Sequence, residues 1–136
     1  MAVVKKEKIK TLVIEPTGHP KVCSIEPTMQ AFKKAVGADI MEHGKVEAKK
    51  IGKRVFAVFN QDRFLTDLTP NRRIGDDIIV GTMYVVAINK DKRPVSLTKE
   101  QIDTYALRFW NTEEFYDIEV MEANMNTMLQ RFLIDA

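Results

Sequence analysis

The residues best suited to chemistry lie in two polar stretches between apolar segments. The first contains Asn60, Asp62 and Arg63, and the second contains Asn71, Arg72, Arg73, Asp76 and Asp77. Two neighbouring guanidinium groups suit phosphate, because each presents its N–H donors in a planar fork. The pattern predicts an anion or nucleotide site formed by Asn60, Asn71, Arg72, Arg73 and Asp77. In the alternative interpretation, Asn71 caps a turn and one arginine pairs with a neighbouring aspartate.

Sequence motifs typical of enzymes are absent. The chain has no glycine-rich phosphate loop and no Gly-x-Ser-x-Gly element, and its only serines are Ser24 and Ser96. Nucleophilic catalysis would need Cys23 beside His19 or His43, and a metal site would lack a second thiolate. A single cysteine in a strand is usually a small core residue. We therefore expect no enzymatic activity, no metal and no cofactor.

Composition indicates one domain in the cytoplasm. The chain has 136 residues, one cysteine, and 21 basic against 19 acidic side chains, for a net charge of +2. No apolar run reaches the roughly 18 residues of a membrane span, and the N-terminus does not resemble a signal peptide. A single cysteine cannot form an internal disulfide, which fits a reducing compartment. We expect no membrane association.

Charge is unevenly distributed along the chain. Residues 1–54 carry a net charge of +6, residues 55–99 carry +2, and residues 100–136 carry −6. The basic part could follow a nucleic-acid backbone, but its lysines are not interleaved with the aromatic side chains that stack on bases. Nucleic-acid binding is therefore the less favoured interpretation, and solvated lysines on strand edges are the simpler one.

Hydrophobic periodicity predicts an α+β domain with an antiparallel or mixed sheet and one helix across a face. Strands at 9–14 and 21–25 are expected to form a hairpin. Thr28 is the expected N-cap of a helix that ends at Gly37, and a capping box begins another helix at Thr98. The remaining predictions are an extended segment at 38–42, a surface turn with weak strand character at 43–52, a central strand at 54–59, a turn at 60–63, a returning strand at 64–68, a polar connection at 69–77, one long strand at 78–88 and a charged turn at 89–94.

The C-terminal segment is acidic and rich in methionine. Apolar residues spaced by three or four predict a helix from Phe115 onward, although 115–120 also alternates like a strand. Flexible thioethers adapt to irregular surfaces, so one face could contact a partner or form a homo-oligomer, while packing on its own domain is the simpler alternative. The candidate partner-binding residues are Met121, Met125, Met128, Leu129 and Phe132. We expect an α+β domain at 1–110 and a helical extension at 111–136.

Several short motifs resemble a small family known only as a domain of unknown function. They are Val13-Ile-Glu-Pro16, Gly37 at a helix end, Val58-Phe-Asn60, Leu65, Leu68-Thr-Pro-Asn-Arg72, Asp77-Ile-Ile-Val-Gly-Thr82 and Ser96-Leu-Thr98 before a helix. The likeness covers about residues 8–109. The chain departs from the family after the first helix, where a glycine pair and an aromatic residue are common in other members. Members occur in bacteriophages, plasmids and Gram-positive bacteria, and the resemblance implies no catalytic residue.

Together these observations favour a non-enzymatic phage or mobile-element protein that binds a host protein and alters host physiology or defence. The acidic, methionine-rich segment is the expected contact surface, so truncation after about Trp110 should leave a folded domain that no longer binds. One alternative is a sponge or sensor for a nucleotide-like small molecule. The other alternative is a nucleic-acid-binding protein.

Overall fold

The fold is α+β, as predicted. A computed structural model describes residues 7–40, 44–61 and 69–115, together with helical positions at Glu122, Met125, Asn126 and Leu129. The elements in chain order are β1 (Ile9–Ile14), β2 (Lys21–Ile25), α1 (Met29–Ala35), a short 3₁₀ helix (Ala38–Ile40), β3 (Val46–Gly52), β4 (Val55–Asn60), β5 (Pro70–Ile74), β6 (Asp77–Val80), β7 (Met83–Ile88), β8 (Pro94–Val95) and α2 (Lys99–Arg108).

The main sheet is antiparallel throughout, with strand order β2-β1-β7-β4-β3. The short β8 pairs with β7 at Ala87 and Ile88, beyond the point where β1 ends its pairing. The predicted hairpin of β1 and β2 is confirmed, with Ile9 opposite Ile25. Strand β4 lies inside the sheet, which explains why its sequence is apolar on both alternating faces. Strands β5 and β6 form a separate antiparallel hairpin.

Both faces of the main sheet pack against other elements. We call face one the side of Leu12, Ala57 and Val85, which packs against residues of α2 and of the β5–β6 hairpin. Face two is the side of Val58 and Val86, which packs against α1. The alternation along each strand places successive side chains on opposite faces, so a single sheet supports two apolar clusters.

The predicted capping residues are found at the helix ends. Thr28 accepts a hydrogen bond from Ala31 N at the start of α1, and the residue after the α1 C-cap is Gly37, with φ +74°. At α2 both halves of the capping box are present: Gln101 N donates to Thr98 Oγ1 at 3.1 Å, and Thr98 N donates to Gln101 Oε1 at 2.8 Å. These bonds satisfy backbone groups that a helix end leaves without partners.

The prediction of one long strand at 78–88 is wrong. Gly81 interrupts it with φ +75°, a left-handed conformation that suits glycine. The chain therefore leaves the hairpin at Val80 and enters the main sheet at Met83. Both halves are buried and apolar, so hydrophobicity alone did not separate them.

Three further segments differ from their predictions. Residues 69–77, predicted as a polar connection, contain β5, because the polar side chains Asn71 and Arg72 are buried in a strand. Residues 43–52, predicted as a surface turn with weak strand character, contain the full edge strand β3, which gains its backbone hydrogen bonds from β4. The segment predicted as extended at 38–42 begins with a 3₁₀ helix over Ala38–Ile40.

Other predictions concern residues outside the described ranges. The returning strand at 64–68 and the strand-or-helix alternative at 116–120 lie there. Phe115 itself is neither helix nor strand and packs against Ile78 and Val80 of β6, while Glu122 and Leu129 are helical. The division at 110 stays a prediction, and a truncation that tests it should retain residues through 115. Within the described ranges, no helix has the length and apolar character needed to cross a membrane.

Candidate functional site

Two polar residues of β5, Asn71 and Arg72, are buried, and the side chains of both donate hydrogen bonds to groups within the fold. Asn71 is inaccessible to solvent, and its side-chain Nδ2 donates to Ile14 O at 2.7 Å and to Gly81 O at 2.8 Å. The first acceptor ends β1, and the second belongs to the turn between β6 and β7. A buried amide is stable only when its donors are satisfied, so Asn71 joins these two chain segments.

Arg72 is the largest of the fully buried side chains, with 1% of its surface exposed. Its Nε donates to Phe109 O at 3.1 Å, and Nη2 donates to Gly18 O at 2.8 Å. Nη1 donates to Asn71 Oδ1 at 3.0 Å and to Pro16 O at 3.4 Å. The guanidinium therefore connects β5 to the loop after β1 and to the end of α2.

The guanidinium of Arg72 is stabilised by hydrogen bonds to carbonyl oxygens. Burial lowers the pKa of the guanidinium, and the Glu113 carboxylate acts in the opposite direction. Phe109 is the C-cap of α2, and a cation is favourable beside the partial negative charge of a helix C-terminus. Glu113 also accepts a hydrogen bond from Arg73 N, which brings the segment after α2 against β5.

A stacked pair of rings belongs to the residues that follow two acceptors of Arg72. The rings of His19 and Trp110 stack with centroids 4.1 Å apart and an interplanar angle of 7°, and His19 Nδ1 donates to Trp110 O at 2.6 Å. Trp110 is 47% exposed, and Leu107, in the last turn of α2, is 79% exposed. We call His19, Leu107 and Trp110 the Trp110 surface.

Arg72 bonds the backbone beside both rings of this surface. Its two shortest bonds to backbone oxygens outside β5 are to Gly18 and Phe109, the residues that immediately precede His19 and Trp110. The stacked rings are therefore fixed on both sides by one buried side chain. A rigid, partly exposed tryptophan is the kind of residue that contributes most to protein–protein binding.

The predicted ligand residues do not converge on one site. Asn71 and Arg72 contact each other, whereas Asn60, at the end of β4, donates to Val36 O at 3.5 Å. The Asp77 carboxylate pairs with Lys49 Nζ at 2.8 Å, across β6 and β3. The Arg73 guanidinium lies 5.7 Å from the centre of the Phe115 ring.

A cleft of about 430 Å³ with both polar and apolar lining residues lies near Asn71. Its lining includes Lys34 together with residues from the motifs quoted above, namely Pro16, Gly37, Thr69, Gly81 and Thr82. Gly81 also accepts the Asn71 hydrogen bond, so the buried network and the cleft share a wall. Lys34 is the basic residue of this lining, and the two threonines supply hydroxyl groups.

Two of the predicted partner-binding residues are described. Met125 and Leu129 have helical backbones one turn apart, and each is 49% exposed. Met121, Met128 and Phe132 lie outside the described residues. The apolar pair that can be placed is therefore about half exposed, and its role in partner binding stays a prediction.

The residues considered for catalysis or metal binding have separate partners. His19 stacks on Trp110, while Cys23 Sγ donates to Ser24 O at 3.8 Å. Burial raises the pKa of Tyr84, and the nearby Cys23 side chain acts in the same direction. In the described parts of the chain, no three His, Cys, Asp or Glu side chains are placed to hold a metal ion.

The stack of His19 on Trp110 was not predicted from the sequence. The available signal was the only tryptophan of the chain, placed just after a capped amphipathic helix. Its partner lies 91 residues earlier, in a proline-rich turn, and no local pattern connects the two. Only the tertiary contact through Arg72 brings them together.

Comparison with known proteins identifies the family of this chain. Curated proteins and solved structures provided no match to this chain. A family model described as "Domain of unknown function (DUF3846)" matches residues 9–109, from the first residue of β1 to the residue after α2. The matched region contains the main sheet, the hairpin and both helices, and it also contains the Asn71–Arg72 network. The chain therefore belongs to the DUF3846 family.

Proposed function

We propose that the protein is a non-enzymatic binding protein of phage or mobile-element origin, which contacts a host protein through the Trp110 surface and the C-terminal helix. The observation that carries the proposal is the half-exposed Trp110, stacked on His19 and held by Arg72. A tryptophan that is ordered before binding loses little conformational entropy in a complex. The phage or mobile-element origin is inferred from the sequence resemblance alone.

Further exposed apolar side chains support a contact surface in this part of the chain. Leu107 lies in the last turn of α2, and Met125 and Leu129 follow on the C-terminal helix. Binding hot spots combine a buried aromatic anchor with apolar neighbours that exclude water. The net charge of −6 over residues 100–136 favours a partner with a basic rim around an apolar pocket.

The test compares capture of host proteins by matched single variants of the full chain. We expect the amount of partner recovered with Trp110→Ala to be at least tenfold lower than with the unchanged chain. A central anchor typically contributes over 2 kcal/mol to binding. Met29→Ala is the control, because Met29 is also exposed but belongs to α1 on face two. Circular dichroism should confirm that both variants are folded.

Three outcomes bear on the proposal. Loss of the same partner in Trp110→Ala and Leu107→Ser, with retention in Met29→Ala, supports it. A partner that all three variants retain places the contact elsewhere and refutes this surface. Loss in all three variants shows non-specific apolar adhesion and also refutes it.

A second candidate is a small phosphate-containing ligand in the cleft that Lys34 lines. It is favoured by the cleft itself, where residues of the family-like motifs surround Lys34. A panel of nucleotides and inorganic phosphate should raise the thermal midpoint of the unchanged chain but not that of Lys34→Gln. Lys33→Gln is the control, because Lys33 precedes Lys34 on α1 and does not line the cleft. An unchanged midpoint across the panel would exclude this candidate.

Nucleic-acid binding stays a prediction without a geometric observation in its favour. A salt titration with a labelled duplex tests it, because neutralised phosphates produce a steep loss of affinity with salt. Salt-independent or undetectable binding would exclude it.

A further inference from the structure

Face two of the main sheet is not completely covered by α1. This helix has seven residues, whereas the sheet beneath it is five strands wide. An open groove of about 490 Å³ remains beside the helix, over β3, β4, β7 and β8. Met29 and Phe32 of α1 form one wall, Ala48, Phe56 and Ile88 belong to the sheet, and Lys92 lies at one end. The volume is in the range of small-molecule sites.

Basic side chains surround this apolar groove. Lys92 lines it directly, and none of its lining residues is acidic. Lys50 lies opposite Phe56 in the β3–β4 register, and opposite residues project to the same face of a sheet. Lys33 is one helical turn beyond Met29 on α1. Asp91 is the acidic neighbour of Lys92, and it is exposed in the same turn.

The turn that carries Lys92 is ordered by its own hydrogen bonds. Lys92 has φ 62°, in the left-handed region that non-glycine residues rarely occupy. Asn89 holds this conformation: its Oδ1 accepts from Asp91 N at 2.9 Å and from Arg93 N at 3.1 Å, and its carbonyl accepts from Lys92 N at 3.0 Å. The backbone of Lys92 is therefore fixed at the end of the groove before any ligand binds.

We propose that this groove binds an amphipathic anion, with an apolar aliphatic or aromatic body on the sheet and a carboxylate, sulfonate or phosphate group at Lys92. The apolar side chains of the sheet supply the binding energy, and the nearby lysines favour a head group with negative charge. The site is separate from the Trp110 surface, because Phe109, the residue before Trp110, packs on face one. It therefore does not depend on the protein-binding proposal.

The probe is decanoate, compared with decyltrimethylammonium, which has the same alkyl chain and the opposite charge. Both are titrated into the full chain below their micelle concentrations, by calorimetry and by methyl NMR. We expect decanoate to bind about tenfold more tightly than the ammonium compound, since the lysines attract one head group and repel the other. Methyl shifts should be confined to the groove, including Met29, Val58 and Ile88.

Two pairs of variants locate the binding. Lys92→Gln should weaken decanoate binding by about fivefold, the upper range for an exposed ion pair, whereas Lys90→Gln in the same turn should leave it unchanged. Ala48→Trp fills the groove from an exposed position of β3 and should reduce affinity more than tenfold, whereas Ala48→Ser should not. The methyl spectrum verifies that each variant retains the native fold.

Several results would overturn the proposal. Equal affinity for the two head groups would remove the role of the lysines, and an equal effect of Lys90→Gln and Lys92→Gln would show only a general charge effect. Methyl shifts outside the groove, or no saturable binding, would remove the site. A tenfold gain in decanoate affinity on replacing both Met125 and Leu129 by serine would show that the C-terminal helix is the occupant.

Discussion

Replacement of Arg72 by methionine should destabilise the fold more than any change at a neighbouring charged residue. Methionine retains much of the apolar stem but leaves the backbone oxygens of Pro16, Gly18 and Phe109 without their donor. Each lost bond to a buried or part-buried acceptor costs about 1 kcal/mol or more, so the sum is about 3–5 kcal/mol. Since domains of this size are stable by about 5–15 kcal/mol, the loss is a large share of the total.

Urea denaturation followed by Trp110 fluorescence measures this loss. The chain has one tryptophan, and it lies one residue beyond an acceptor of Arg72. We expect the midpoint of Arg72→Met to fall by about 2 M, from a free-energy loss of about 4 kcal/mol and an m-value of about 2 kcal/mol/M. Before unfolding, the emission should already shift to the red, because the stack on His19 loses its support.

Arg73→Met is the matched control, because Arg73 is the next residue of β5 and its side chain is exposed. Its cost should stay below about 1 kcal/mol, as for most surface substitutions. Arg72→Lys should be intermediate, since one ammonium group cannot reach acceptors that the planar fork reaches together. Equal midpoints for the Arg72 and Arg73 variants would refute the structural role assigned to Arg72.

Two further predictions concern backbone packing and capping. Gly52→Ala should lose about 1–2 kcal/mol, because a Cβ at this position overlaps the Tyr105 hydroxyl oxygen, whereas Gly18→Ala should stay within about 0.5 kcal/mol because nothing lies near its Cβ. Thermal melts compare the two, and equal midpoints would contradict the close packing of α2 on β3. Thr98→Ala should lose about 1 kcal/mol through the capping box, and Thr104→Ala, exposed within α2, should lose less. A larger loss at Thr104 in urea denaturation would contradict the capping role.

Local patterns predicted the elements whose hydrogen bonds are local. The caps at Thr28 and Thr98 depend on residues within one helical turn, and the β1–β2 hairpin depends on a short turn. Strand β3 was predicted only as a surface turn with weak strand character, because three of its seven residues are charged and its hydrogen bonds come from β4. The break at Gly81 was missed because the strands on either side are equally buried.

The candidate site shows the same division between local pattern and tertiary contact. Asn71 and Arg72 were singled out from the sequence because a guanidinium fork suits phosphate. Their side chains were expected to bind an anion, whereas each has backbone carbonyls as acceptors. The sequence cannot place these carbonyls, since the groups near Arg72 come from positions 54 and 56 residues before it and 37 residues after it.

By itself, the sequence determined the α+β class, the family, the helix caps and the uneven charge, because composition, periodicity and short motifs encode them directly. Only the tertiary structure decided that the Arg72 side chain bonds distant backbone segments inside the fold, that His19 stacks on Trp110, and that α1 leaves an apolar groove lined by Lys92. The physical reason is that a hydrogen bond or an uncovered apolar surface depends on which distant segments meet. A guanidinium can donate to phosphate or to carbonyl oxygens, and the burial of Arg72 among three chain segments places carbonyl oxygens within its reach.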